Sequence, residues 1–353
     1  MVEWLLFFLV VFVYIHLVQQ YKCSEEPDVF EMDYIDNANL QESCQLLQPV
    51  VFAAAGSLPL PPDLDDVVAE VGPNPMTLEM FDPTSVKYGV SVPYAVAWEI
   101  LGATATANDR PSHPHYSERN ASLLAAAPEF REKLRELDAY LRPPLTVYSR
   151  LDLAMGAQDA YTPFRYHLHT RKFLVVSTGK ITVKMAPWKK NARYLHEVRD
   201  YDVGEYRSNM NVWVPKEHHR RDHAKVEFVE FDVDVGHVVY IPAYWGYSVY
   251  YQSPRTVFVE YDYRTWSNCL AFLGEMGRTW LQQQRIHQIW FPTTAPSKKK
   301  MAADAQTSAV TTATTDSKEG SDTHQSLSSV TPESPPSVVI PEPDLTPATA
   351  TEP

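Results

Sequence analysis

Cysteine is scarce in this chain: Cys23, Cys44 and Cys269 are the only three in 353 residues. So few, so far apart, exclude a disulfide framework and a cysteine-based zinc site. Basic residues are also in short supply, with 31 Lys and Arg against 44 Asp and Glu, a net charge of −13. That balance excludes nonspecific nucleic-acid binding through a basic face, so no nucleic-acid partner is expected. There is no Gly-rich phosphate loop, no Ser-His-Asp arrangement, no reactive-cysteine context and no internal repeat. Cys23 directly follows an apolar segment, where it is either a free thiol or an acylation site. Asn120-Ala121-Ser122 is a formal N-glycosylation triplet, which matters only on a lumenal side.

Lys, Arg, Asp and Glu are missing altogether from Trp4 to Tyr21, which contains the apolar run Leu5 to Val13. Those ~18 residues span ~27 Å as a helix, roughly a hydrocarbon core. Trp4 and Tyr14 are aromatic anchors of the interfacial kind. A cleaved signal peptide would want a basic start and a small-residue cleavage site. Here the start is Met1-Val2-Glu3, and Val18 to Lys22 offers no small residue. The segment therefore reads as an uncleaved, single-pass membrane anchor. Its orientation is open, because Lys22 is the only basic side chain near it.

The expected division is an anchor over 1–22, a juxtamembrane linker over 23–44, a folded domain over 45–292 and a tail over 293–353. The tail is rich in Pro, Ser, Thr and Ala, too poor in apolar surface to offset its ordering entropy, and so reads as disordered. Within the domain, Phe130, Leu134, Leu137 and Leu141 recur on one helical face, with Pro128 in the first turn and Pro143-Pro144 after the last. A second helix is expected from about Asn268 towards Ile289, across Gly274 and Gly277. Between them the period is two. Ile181, Val183 and Met185 alternate with polar residues after the turn at Ser177-Thr178-Gly179. Val226 and Phe228 alternate and then slip phase before Phe231, which predicts a bulge. Val238–Ile241, Tyr247–Tyr251 and Val257–Tyr261 are further short strands. The pattern predicts a mainly β domain with flanking helices, closed or sandwiched.

Two stretches carry a resemblance. One is Arg171 to Pro187; the other is Asp234 to Val249, with Ile241-Pro242-Ala243-Tyr244-Trp245-Gly246-Tyr247-Ser248 at its centre. Together they resemble the cupin-like, JmjC-related domains. The anchor, that Ile-Pro-Ala-Tyr-Trp run and Tyr263-Arg264-Thr265 make the chain look most like membrane-anchored cupin-like proteins of large DNA viruses, in which the Gly246 position is often Trp. The resemblance implies a double-stranded β-helix (cupin or jelly-roll) preceded by one transmembrane helix, in a host or virion membrane. It also implies where a metal would sit. Iron- and 2-oxoglutarate-dependent members use two histidines and a carboxylate. Family spacing counted back from Gly179 puts the His-x-Asp positions at Tyr166 and Leu168, and counted forward along Ile-Pro-Ala-Tyr-Trp puts the last histidine at Tyr247.

All three positions are thus held by poor ligands, and the expected reading is a noncatalytic binding or structural module without metal or cofactor. The alternative is a divergent dioxygenase using Fe(II) and 2-oxoglutarate. A register slip would bring His167 and His169 into play, since residues two apart on a strand point the same way. Lys184 is either an oxoglutarate-binding residue or the outward neighbour of Met185. Tyr166, Tyr244, Trp245 and Tyr247 would suit stacking against a sugar or peptide, or simply fill the core. Arg165, Arg171 and Arg264 could line an anion-binding mouth. His219 and His223, i and i+4 within His218 to His223, read as part of a charged, solvated loop rather than a zinc site. The partners expected are the membrane and a protein or small-molecule ligand.

Overall fold

The computed structural model describes residues 2–54, 58–59, 61, 64, 71–81, 87–103 and 114–287. The expected tail lies outside the described residues. Val2–Gln19 is one helix with no buried residue, and it is long and apolar enough to cross a membrane. The rest is mainly β. Its strands are β1 (Phe30–Asp33), β2 (Val50–Ala53), β3 (Pro75–Phe81), β4 (Lys87–Pro93), β5 (Tyr116–Ser117), β6 (Thr146–Gly156), β7 (Arg165–Tyr166) and β8 (Arg171–Thr178). They continue as β9 (Lys180–Pro187), β10 (Glu197–Asp200), β11 (Glu205–Ser208), β12 (Val229–Asp234), β13 (His237–Ile241), β14 (Trp245–Tyr251) and β15 (Thr256–Thr265). One sheet has the order β1-β2-β13-β8-β15-β6-β5-β3-β4, and the other β10-β11-β7-β14-β9-β12.

Period-two alternation explains how the layers meet. On β15 the residues Val257, Val259, Tyr261 and Tyr263 face a helical layer, packing with Leu134, Leu137 and Leu141. The helix Pro128–Leu141 is the one expected; Tyr261 Oη donates to the Leu134 carbonyl at 2.8 Å and Tyr263 Oη to Asp138 at 2.7 Å. The residue between each pair turns the other way. Phe258 joins Leu174, Val176, Ile181, Val183, Met185, Val239 and Val249 in a core between the sheets. The β8–β9 hairpin turns at Gly179, whose φ of +80° suits a residue without Cβ.

Several expectations change. Residues 23–44 are no free linker, since β1 pairs in parallel with β2 and the helix Asn37–Cys44 buries Leu40 and Cys44. The pairing of β12 with β9 is continuous from Val229 to Asp234, so no bulge interrupts it. The phase slip marks the strand's start instead, with Val226 and Phe228 packed in a separate cluster beside Trp188. The second helix is two: Trp266–Ala271 and Leu273–His287, broken at Phe272. The glycosylation triplet is structural, because buried Asn120 donates through Nδ2 to the Leu153 carbonyl at 3.0 Å.

Candidate binding site

A cavity of about 500 Å³ opens at one end of the space between the sheets. Ladder register builds its ionic wall. Phe258 lies between Ala154 and Val176, Glu260 between Asp152 and Leu174, and Asp262 between Arg150 and Lys172. Two residues at a time, the same faces of three strands pass from hydrocarbon to charge. Burial makes the pairing obligatory, since an unpaired ion here would forfeit its hydration.

Lys172 is 4% exposed. Its ammonium lies 2.7 Å from Glu260 Oε2 and 3.0 Å from Asp262 Oδ1, and 5.9 Å from the centre of the Tyr247 ring. Burial opposes its charge, but Asp262 and Glu260 outweigh that and hold it well above the usual lysine range. Asp262 in turn is held well below the carboxylate range: burial works against the ion, and His169 and Lys172 overcome it. His169 Nδ1 is 3.2 Å from Asp262 Oδ1. His167 accepts the His169 backbone N–H on Nδ1 at 3.2 Å, so Nε2 carries the proton and donates to the Ile241 carbonyl at 3.1 Å. Both ring nitrogens of His167 are therefore committed. Burial pushes both histidines below the usual imidazole range, and Lys172 adds to this.

A second network flanks the first. Arg165 forks onto Glu118, donates to Glu205 at 3.0 Å and reaches Tyr247 Oη from Nε at 3.3 Å. Arg119 bridges Glu205 and Glu79 from the other side. Arg264 differs: its buried Nη1 has no hydrogen-bond partner in the structure. It lines the cavity, and Met276, Thr279 and Gln283 of Leu273–His287 close one flank.

The sequence candidates divide accordingly. Tyr166, His167, Leu168, His169 and Tyr247 all line the cavity, together with Arg165 and Arg264. The register differs from the expected one. Arg165, His167 and His169 gather beside Tyr247, the His167 and Tyr247 rings being 6.3 Å apart. Tyr166 and Leu168 instead pack in the cluster around Trp188, and burial beside Glu197 raises the Tyr166 phenol. Lys184 is not among the lining residues. It leaves the outer face of β9 to lie 4.2 Å from the Trp213 ring centre and 3.0 Å from Glu230. Trp245 is fully buried core, and Tyr244 stands outside the cavity with φ +61° under the Lys189 ammonium. Arg171 points to the opposite face, over Tyr240. Residues 218–223 form helical turns rather than an extended loop. His219 is buried, and His223 Nε2 donates to the Val212 carbonyl at 3.0 Å.

Lys172, Glu260, Asp262, Glu118 and Arg150 were not legible as site residues. The one available signal was charge at Asp152, Glu260 and Asp262 inside otherwise apolar strands. Among the described residues no group of three or more His, Cys, Asp or Glu is arranged to hold a metal ion. No protein-family model matches the chain, and no curated protein matches it either.

Proposed function

We propose that this chain is a membrane-anchored, cupin-like binding module that receives a small anionic ligand in its ionic cavity without a metal. The strand orders β13-β8-β15-β6 and β7-β14-β9-β12 support a double-stranded β-helix. The runs β6 to β9 and β12 to β15 each alternate between the two sheets, as that fold requires. The observation that carries the functional reading is Lys172. Its ammonium sits beside Tyr247, where the resemblance would place the last metal histidine, and close to His167 and His169, the alternative ligands. A divalent ion there would face that charge across a few ångströms in a poorly hydrated space. The unpartnered Nη1 of Arg264 is the donor that an anionic ligand group would satisfy.

One observation favours the dioxygenase reading: the fold brings Asp262 to His169, supplying a carboxylate that sequence spacing did not offer. The residues nevertheless fit iron poorly. His167 has no free nitrogen, and Asp262 is already shared between Lys172 and His169. Metal analysis of the purified chain after anaerobic loading with Fe(II) and 2-oxoglutarate tests the choice. The expected result is no stoichiometric iron and no oxoglutarate turnover. Near-stoichiometric iron that is lost in His167→Ala or His169→Ala would sink the metal-free reading.

A further inference from the structure

A second cavity, of about 550 Å³, lies on the helical side of β6 and β15, where Tyr261 and Leu151 form part of its wall. Four guanidinium groups line it: Arg131, Arg135, Arg142 and Arg150. Helical spacing gathers three of them. Arg131, Arg135 and Asp138 recur at i, i+4 and i+7 on the helix Pro128–Leu141, and Arg142, at its C-cap, continues the row at i+11. This row runs beside the apolar stripe of Phe130, Leu134, Leu137 and Leu141 that seats the helix. Glu129, Glu132 and Glu136 fall on the exposed face turned away from the core. The helix carries charges of both signs and turns its arginines to the cavity. Arg150 joins them from β6.

The carboxylates within reach leave part of that charge unanswered. Asp138 is the one acidic residue of the lining, and both its oxygens are committed: Oδ2 accepts from Arg142 Nε at 2.8 Å and Oδ1 from Tyr263 Oη at 2.7 Å. Asp152 answers Arg150. Arg135 has only Glu132, at 3.4 Å, in a pair whose side chains are 53% and 73% exposed, so the contact is weak. Arg131 makes no ion pair among the described residues. Two guanidiniums are thus fixed on internal carboxylates, and two others, one turn apart, face the cavity as like charges that repel. That is a local excess of cation in a chain of net charge −13. A phosphate monoester carries about −1.5 to −2 at neutral pH, which matches two uncommitted cations where a single carboxylate does not. Arginine is also the side chain that meets phosphate with two N–H groups at once. Leu124, Ala125 and Leu151 make the rest of the wall apolar, and the volume is that of a small-molecule pocket rather than of a bare ion.

We propose that this cavity binds an organic phosphate, its monoester group held by Arg131 and Arg135 while Arg142 and Arg150, already anchored, fix where it sits. The proposal does not rest on the reading of the ionic cavity. In the test the full chain, in nonionic detergent, is titrated by calorimetry with inositol trisphosphate and, in a parallel sample, with phosphatidylinositol bisphosphate in the same micelles. The expected result is saturable one-to-one binding of at least one of the two. It should weaken at least tenfold in Arg131→Gln/Arg135→Gln and stay unchanged in Lys133→Gln, which removes a charge from another face of the same helix. Both arginines are exposed and Gln is a good helix former, so the double variant keeps the fold. Binding of the trisphosphate marks a soluble source for the ligand, and binding of the lipid alone marks a headgroup; either bears the proposal out. No saturable binding, binding of equal strength in the double variant, or a loss that follows Arg264→Gln in the ionic cavity instead overturns it.

Discussion

Two histidines end on carboxylates at nearly the same distance, with opposite physical settings. His169 Nδ1 lies 3.2 Å from Asp262 in the cavity wall, and His196 Nε2 lies 3.0 Å from Asp222 at the surface. Around the first, the buried charges answer one another inside the protein, Lys172 meeting both Asp262 and Glu260, while Arg264 keeps one donor unpartnered. Around the second, water answers: His196 and Asp222 keep side-chain exposures of 43% and 29%. Contact distance alone does not measure an ion pair. What matters is whether its members could return to water if the partner were removed.

Breaking each pair in the same way gives the largest expected effect. Asp262→Ala leaves Lys172 partly unanswered in a buried site and should cost about 3–5 kcal/mol. Asp222→Ala, which leaves only solvated groups behind, should cost far less. Urea unfolding of the two variants measures the difference, and equal losses would dissolve the distinction. Next in size is the response to acid. His167 and His169 are held below the unfolded value of about 6.5, mainly by burial, so the unfolded chain takes up protons that the folded chain refuses. Their contribution is complete above that value and declines as pH falls below it. Asp262, depressed below the carboxylate range, adds its own loss only at lower pH. Urea midpoints should thus drop between about pH 7 and about pH 5, and His167→Gln should flatten that drop. His219, also lowered by burial but outside the cavity network, should change the slope less when replaced by Gln. The smallest expected effect is none. Tyr247→His places an imidazole on β14 where the cupin-like resemblance would expect one, yet iron binding should not appear while Lys172 remains. Stoichiometric iron in that single variant would show that the lysine does not hold the site.

How far the sequence could lead depended on what each feature needs. The helix Pro128–Leu141 and the strands β9, β13, β14 and β15 are local patterns, and periodicity found them. The register at Tyr166 is not local. Counting from Gly179 assumed the family's spacing, whereas the pairings of Tyr206 with Tyr166 and of Tyr247 with Arg165 set the face each residue takes. A shift of one residue exchanges Tyr166 and Leu168 for His167 and His169. Lys172 was hidden for another reason. Its meaning comes from Asp262 and Glu260, about ninety positions away, which only the β8–β15 ladder brings to it. His218 to His223 misled in the opposite direction, since a dense charge run concealed a buried imidazole at His219.

Gly246 gives the Ile-Pro-Ala-Tyr-Trp-Gly run a consequence outside chemistry. A Cβ at this position would lie 2.4 Å from the Phe164 ring and 3.1 Å from that of Trp188. Phe164 is 1% exposed and stacks on Trp188 with ring centres 5.9 Å apart, so it has nowhere to retreat. Positions 164 and 246 are therefore one decision rather than two. A chain that carries Trp where this one has Gly246 must have given up the bulk of Phe164 or re-seated Trp188. Any relative can thus be sorted by reading two letters, and a Trp and a Phe found together would mean a different path of the chain between β6 and β7.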